Sequence, residues 1–115
     1  MPLTIEKVEP REALVGQEIS FKASVRSVYS LSHPFTLKIL SKDGKTLAVK
    51  ELGELEPGEV KSVEVTFKAE LPEGSHVLEA DLWVDVNGQK LLDDFAEFTI
   101  TLKRYRGVLR WLLHI

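Results

Sequence analysis

Four carboxylates, Asp81, Asp85, Asp93 and Asp94, fall near one another around the dipeptide Asn87-Gly88. Calcium takes six to eight hard oxygen ligands, and clustered aspartates can supply several of them. Neither an EF-hand loop nor a nonapeptide calcium repeat accompanies them. A solvated sheet face with acids placed against edge pairing accounts for the same residues, so no metal site is read here and the four stay weak candidates. The three histidines, His33, His76 and His114, have no partner at the spacing of a zinc motif such as H-E-x-x-H. Ser30 and Ser32 lie near His33, but no G-x-S-x-G turn or oxyanion loop goes with them. No glycine loop able to cradle phosphate is present. The expectation is a protein that is not an enzyme and has no cofactor.

Aromatic and apolar residues offer a different chemistry. Trp83 and Phe95, with Leu92 beside them, fall on or near the outward side of one hairpin, where such residues stack on sugars or anchor a protein. Burial within the chain or against a neighbouring copy is the expected fate. Residues 103–115 hold Lys103, Arg104, Arg106 and Arg110 and no acid, a balance of +4; the remainder then carries −7, since the whole chain is at −3. Read as a helix, Arg106, Arg110 and His114 form one stripe, with Tyr105, Val108, Leu109, Leu112 and Leu113 opposite and Trp111 flanking. Strand character can instead run on through Arg104-Tyr105-Arg106 to Gly107. Such a segment suits docking on the domain or on a second copy as a homodimer. Arg104, Arg106 and Arg110 also suit contact with an anionic membrane surface.

The elements that position these residues must fit in 115 residues, which allows one domain. The charge argues against a nucleic-acid binder. The absence of cysteine excludes disulfides, thiolate metal sites and a thiol nucleophile. No apolar run approaches the ~20 residues of a membrane span, and the first residues show no signal-peptide pattern. One Asn, two Gln and one Met stand against abundant Glu and Lys, the bias of proteins from very hot habitats.

Period-two alternation dominates. Ile19, Phe21, Ala23 and Val25 alternate with polar residues, as do Val63, Val65, Phe67 and Ala69; Leu78, Ala80, Leu82, Val84 and Val86; and Ala96, Phe98, Ile100 and Leu102. Further strands hold Phe35, Leu37 and Ile39; Leu47, Val49 and Leu52; and Leu3, Ile5 and Val8. Turn signals at Pro10, Gly16, Asp43-Gly44, Pro57-Gly58 and Pro72-Glu73-Gly74 separate them. About seven strands at this spacing give an all-β fold, an immunoglobulin-like antiparallel β-sandwich over residues 1–103 followed by an amphipathic extension, 104–115. A small barrel is the alternative.

Asn87-Gly88 is the strongest hairpin signal, because a type I′ turn needs positive φ at both central residues. It pairs Val86 with Gln89, Asp85 with Lys90 as an ion pair, Val84 with Leu91 on the core face, and Trp83 with Leu92. Continued unchanged, that register points Asp93 and Glu97 inward, which is costly. One extra residue repairs it, so the spacing predicts a β-bulge at Asp93–Phe95, with Ala96 facing Ala80 and Phe98 facing Leu78.

Three stretches carry a family resemblance: Val15-Gly16-Gln17-Glu18-Ile19 leading into a strand, the turn Leu52-Gly53-Glu54-Leu55-Glu56-Pro57-Gly58-Glu59-Val60, and Val63-Glu64-Val65-Thr66-Phe67 running to Pro72-Glu73-Gly74-Ser75-His76. In these the chain resembles the CARDB domain (cell adhesion related domain found in bacteria), common also in archaea, over about residues 3–102. The resemblance implies a spacer or a protein- or carbohydrate-contacting module within a larger exported or surface protein, with no catalytic residues to carry over. The chain departs from the family pattern at Ser27–Pro34, where an Asn-x-Gly element is usual, and at Asp93–Glu97. The expectation is therefore a non-catalytic interaction or spacer module of a prokaryotic, thermophilic and archaeal surface protein. The residues read as contacting a partner are Tyr29, Leu31, Phe35, Trp83, Tyr105, Leu109, Trp111 and Leu112. Two alternatives stand beside it: a small cytoplasmic protein assembling through its C-terminal segment, and an accessory domain binding carbohydrate or calcium.

Overall fold

In the computed structural model, which describes residues 1–104, alternation becomes eight strands. These are β1 (Leu3–Glu9), β2 (Glu12–Leu14), β3 (Glu18–Arg26), β4 (His33–Leu40), β5 (Thr46–Leu55), β6 (Val60–Lys68), β7 (Gly74–Val86) and β8 (Gln89–Lys103). One sheet has the order β1-β3-β6 and the other β2-β8-β7-β4-β5. Two separate sheets face each other across one core, an immunoglobulin-like β-sandwich and not a barrel.

Each sheet contributes the apolar set of its alternation. Ile19, Phe21, Ala23 and Val25 from β3 and Val63, Val65 and Phe67 from β6 meet Phe35, Leu37 and Ile39 from β4 and Leu78, Ala80, Leu82 and Val84 from β7. The Phe21 and Phe98 rings cross the interlayer space with centroids 5.1 Å apart.

The strand absent from the expected seven is β2. After β1 the chain bends at Pro10, whose bond to Glu9 is cis, and leaves the smaller sheet to join the larger one. There β2 pairs parallel with the end of β8, Glu12 opposite Thr101 and Leu14 opposite Lys103. A three-residue strand is too short for a period to show. The β5 strand also differs from its expected form. It runs ten residues, and a bulge around Leu52-Gly53 turns Leu52 and Leu55 inward while Val49 stays exposed.

The β7–β8 hairpin has the expected register: Val86 opposite Gln89, Trp83 opposite Leu92, Ala80 opposite Ala96 and Leu78 opposite Phe98. Asn87 and Gly88 have φ of 53° and 86°, as a type I′ turn requires. The extra residue is Asp93, between the pairs Leu82–Asp94 and Trp83–Leu92. Two details are corrected. Leu91 is exposed although it lies opposite buried Val84, because the pairing of β4 with β7 ends at Val84 and the hairpin tip runs on past the core. The Asp85 carboxylate accepts the Gly88 amide at 2.8 Å, closing the turn, and does not form the expected ion pair with Lys90.

Candidate functional site

Because Leu78, Ala80, Leu82 and Val84 point into the core, the intervening Val77, Glu79, Asp81, Trp83 and Asp85 line the outer face of the five-stranded sheet. The register sets their neighbours. Asp81 lies between Lys38 on β4 and Phe95 on β8, Trp83 beside Thr36, and Glu79 opposite Glu97. Beyond β4, Lys38 pairs with Val49 and Thr36 with Glu51, whose carboxylate accepts the threonine hydroxyl at 2.9 Å.

Trp83 is half-buried on this face. The Lys38 ammonium stands 5.7 Å from its ring centroid, a cation–π arrangement. Its indole N–H is buried with no acceptor. Trp83, Thr36, Lys38, Val49, Glu51 and Lys90 border an open groove of about 400 Å³. Around it Val49, Leu92 and Phe95 are 52%, 45% and 53% exposed. The outward position expected for Trp83, Phe95 and Leu92 is therefore observed, and Trp83 is the one partly covered.

Asp81 is only 7% exposed although it lies on an outer face. One carboxylate oxygen, Oδ1, has no hydrogen-bond partner. Burial, and then the neighbouring Glu79 carboxyl, push its pKa up to about 7, while Lys38 pulls it down. Asp81, Glu79 and Glu97 border a second recess of about 200 Å³ with Leu40, Ser41 and Lys42. Sequence reading did not single out Lys38 or Glu79, and used Glu97 only to place the bulge. The signal lay in the bulged register, which sets two glutamates opposite each other.

The other three acids of the hairpin serve separate tasks. Asp85 closes the turn. Asp93 accepts the Tyr29 hydroxyl at 3.2 Å through Oδ1, and its Oδ2 is buried without a partner. Burial raises the Asp93 pKa while the Tyr29 hydrogen bond opposes the rise, and the Tyr29 hydroxyl is held above its ordinary value by burial and by Asp93. Asp94 accepts the Leu3 amide at 3.0 Å, tying β8 to β1 of the opposite sheet, and the Phe95 amide at 2.9 Å. The bulge thus serves the edge of β8, which pairs outward with β2 only over its last three residues. Among the described residues no three His, Cys, Asp or Glu side chains stand where they could hold a metal ion.

Tyr29 packs edge-on against His33 and Phe35, with ring centroids 5.3 and 6.2 Å away. Phe35, read from sequence as a partner contact, is fully buried and belongs to the core. Its strand position decides this, because it shares the inward set of Leu37 and Ile39. Leu31 is 67% exposed in the loop before β4. His76 hydrogen-bonds the Pro72 carbonyl at 2.6 Å, which leaves it a strand-end role. Arg104 is exposed. The candidates Tyr105, Arg106, Leu109, Arg110, Trp111 and Leu112, and His114 with them, lie outside the described residues.

No family model and no curated protein matches the chain. Solved structures do. The C-terminal domain of Wzt is similar at a TM-score of 0.66 and 13% identity, over 91% of this chain and 75% of that one. A CARDB domain from Pyrococcus furiosus, solved in complex with di-metal ions, is similar at 0.62 and 17%, over 90% of this chain and 94% of that one. A β-glucosidase from Erythrobacter marinus matches at 0.65 and 16%, over 88% of this chain. This chain spans only 15% of the glucosidase's length. At these identities the likeness shows the fold. The CARDB resemblance therefore holds for architecture. Of the four hairpin aspartates, Asp85, Asp93 and Asp94 accept hydrogen bonds from Gly88, Tyr29 and Leu3, and Asp81 lies on the outer sheet face.

Proposed function

We propose that the chain is a non-catalytic interaction or spacer module of a prokaryotic surface or exported protein, and that it acts through the outer face of its five-stranded sheet. The observation that carries this reading is that face itself. Val49, Leu92 and Phe95 remain exposed around a half-buried tryptophan that has no acceptor for its N–H. A solvated face has no need of such a surface, and contact with a partner does. The sandwich likeness to a CARDB domain and to the C-terminal domain of Wzt supports a binding or spacing role over a catalytic one. The Glu- and Lys-rich, Asn-poor composition supports a thermophilic source.

The test uses the full chain as bait on a surface-protein fraction of its source cells, beside the double variant Leu92→Ser/Phe95→Ser. The wild type is expected to retain a partner that the variant loses, at unchanged melting temperature. Equal retention by both, or by neither, sinks the reading.

A further inference from the structure

Asp81 is 93% buried, since 7% of it is exposed, and its Oδ1 reaches no hydrogen-bond donor while bordering an open recess. Glu79 and Glu97 stand on the same recess, directly opposite each other across β7 and β8. Like charges so placed are destabilising, and a buried carboxylate oxygen without a donor adds to the cost. Of the cations nearby, Lys38 is drawn over the Trp83 ring and Lys42 stands at the recess rim. The geometry is an acceptor-rich pocket beside exposed Phe95, in which Asp81 Oδ1 has no donor.

A guanidinium fits this chemistry better than an ammonium or a metal ion. It is planar, weakly hydrated and always charged, and its five N–H donors can serve several carboxylate oxygens while its face lies on apolar carbon. The chain carries such groups in a segment of opposite character. Residues 105–115 contain Arg106 and Arg110 and no acid, interleaved with Tyr105, Leu109, Trp111 and Leu112, so residues 1–104 are left at −5 of the total −3.

The direction of β8 favours a segment from a second copy. Glu97 lies six residues before Lys103, so the strand ends about 20 Å past the recess at about 3.4 Å per residue. Its last residue is pinned there: the Lys103 carbonyl accepts the Val15 amide at 3.0 Å, and its ammonium pairs with Glu12. At its described end β8 therefore points away from its own recess, and a second copy can present the segment without a reversal. Two such contacts related by a two-fold axis close into a dimer.

We propose that Arg110 of a second copy of this chain docks its guanidinium into the recess of Asp81, Glu79 and Glu97, and that the apolar residues around it cover Phe95. This rests on the same sheet face as the proposed function and names its partner.

Light scattering of the full chain over a concentration series gives the test. The wild type is expected to be dimeric, with Arg110→Ala weakening the dimer about a hundredfold. Arg110→Glu alone and Asp81→Arg alone are each expected to be monomeric. Mixed, they are expected to form a heterodimer, because one contact keeps its native pair and the other has the pair reversed. Since Asp81 must be ionised, with Glu79, Glu97, Lys38 and Lys42 facing the same space, the wild-type dimer weakens as pH falls below 7. Arg110 lies outside the described sandwich, so its substitution tests docking even if Asp81→Arg does not fold. A wild-type monomer at every concentration, a dimer indifferent to Arg110→Glu, or folded single variants that fail to pair on mixing overturns the proposal. The face can still bind another protein in that event, and the bait experiment reads that separately.

Discussion

The two sheets share one core and present opposite exteriors. On the three-stranded sheet the outward set is plainly solvated. Lys22 and Glu64 stand 3.9 Å apart with side chains 50% and 55% exposed, and Ser20 donates to the same carboxylate at 3.1 Å. On the five-stranded sheet the outward set includes a buried acid, a half-buried tryptophan under a lysine and a ring of exposed apolar carbon. The same alternation of polar and apolar residues underlies both. The polar half of a strand's pattern therefore does not by itself mean a wet surface. What neighbouring strands place beside each residue settles that.

The comparison is sharpest if the inner faces are equal. Phe21→Ala from the small sheet and Phe35→Ala from the large one are each expected to cost about 3–5 kcal/mol by chemical denaturation. A large inequality between them would extend the asymmetry into the core. A smaller effect is expected at the hairpin. Tyr29→Phe removes the donor to Asp93 and should cost about 1–2 kcal/mol, with the Asp93 pKa rising further, as followed by carboxyl NMR.

The next expectation concerns pH. In the monomeric Arg110→Glu chain, Asp81 has a folded pKa of about 7 against an ordinary 3.8, so the fold favours the neutral carboxyl. That contribution is whole below about pH 4 and is lost as pH rises toward 7. Thermal melts at several pH values should show this slope, and adding Asp81→Asn should flatten it. The smallest effect belongs to the small sheet. Lys22→Ala is expected to change stability by less than about 0.5 kcal/mol. A larger loss there would break the contrast between the two exteriors.

Much of this was legible in the sequence wherever a local rule had to agree with a distant cost. The hairpin register followed from Asn87-Gly88, and the bulge from the expense of turning Asp93 and Glu97 inward. Phe35 was misread as a contact because it follows a polar loop, though its spacing to Leu37 and Ile39 places it in the core. Leu91 was misread because pairing was taken to imply burial, and the opposing sheet does not reach the hairpin tip. The burial of Asp81 was not legible strand by strand. It depends on Lys38 and Phe95, which lie 43 residues before it and 14 after it. For the same reason β2 escaped notice, its only strand partner being almost ninety residues away.

That short parallel strand has a mechanical meaning. When tension is applied at residues 10 and 104, β2 and β8 are drawn along their lengths in opposite senses. The bonds from Thr101 to Arg11 and from Val15 to Lys103, with the three ladder positions between them, then share the load together instead of opening one after another. In single-molecule stretching between those two residues, Ala13→Pro, which removes a donor from β2, is expected to lower the rupture force. Three residues that add little to the core would then set how hard the domain can be pulled.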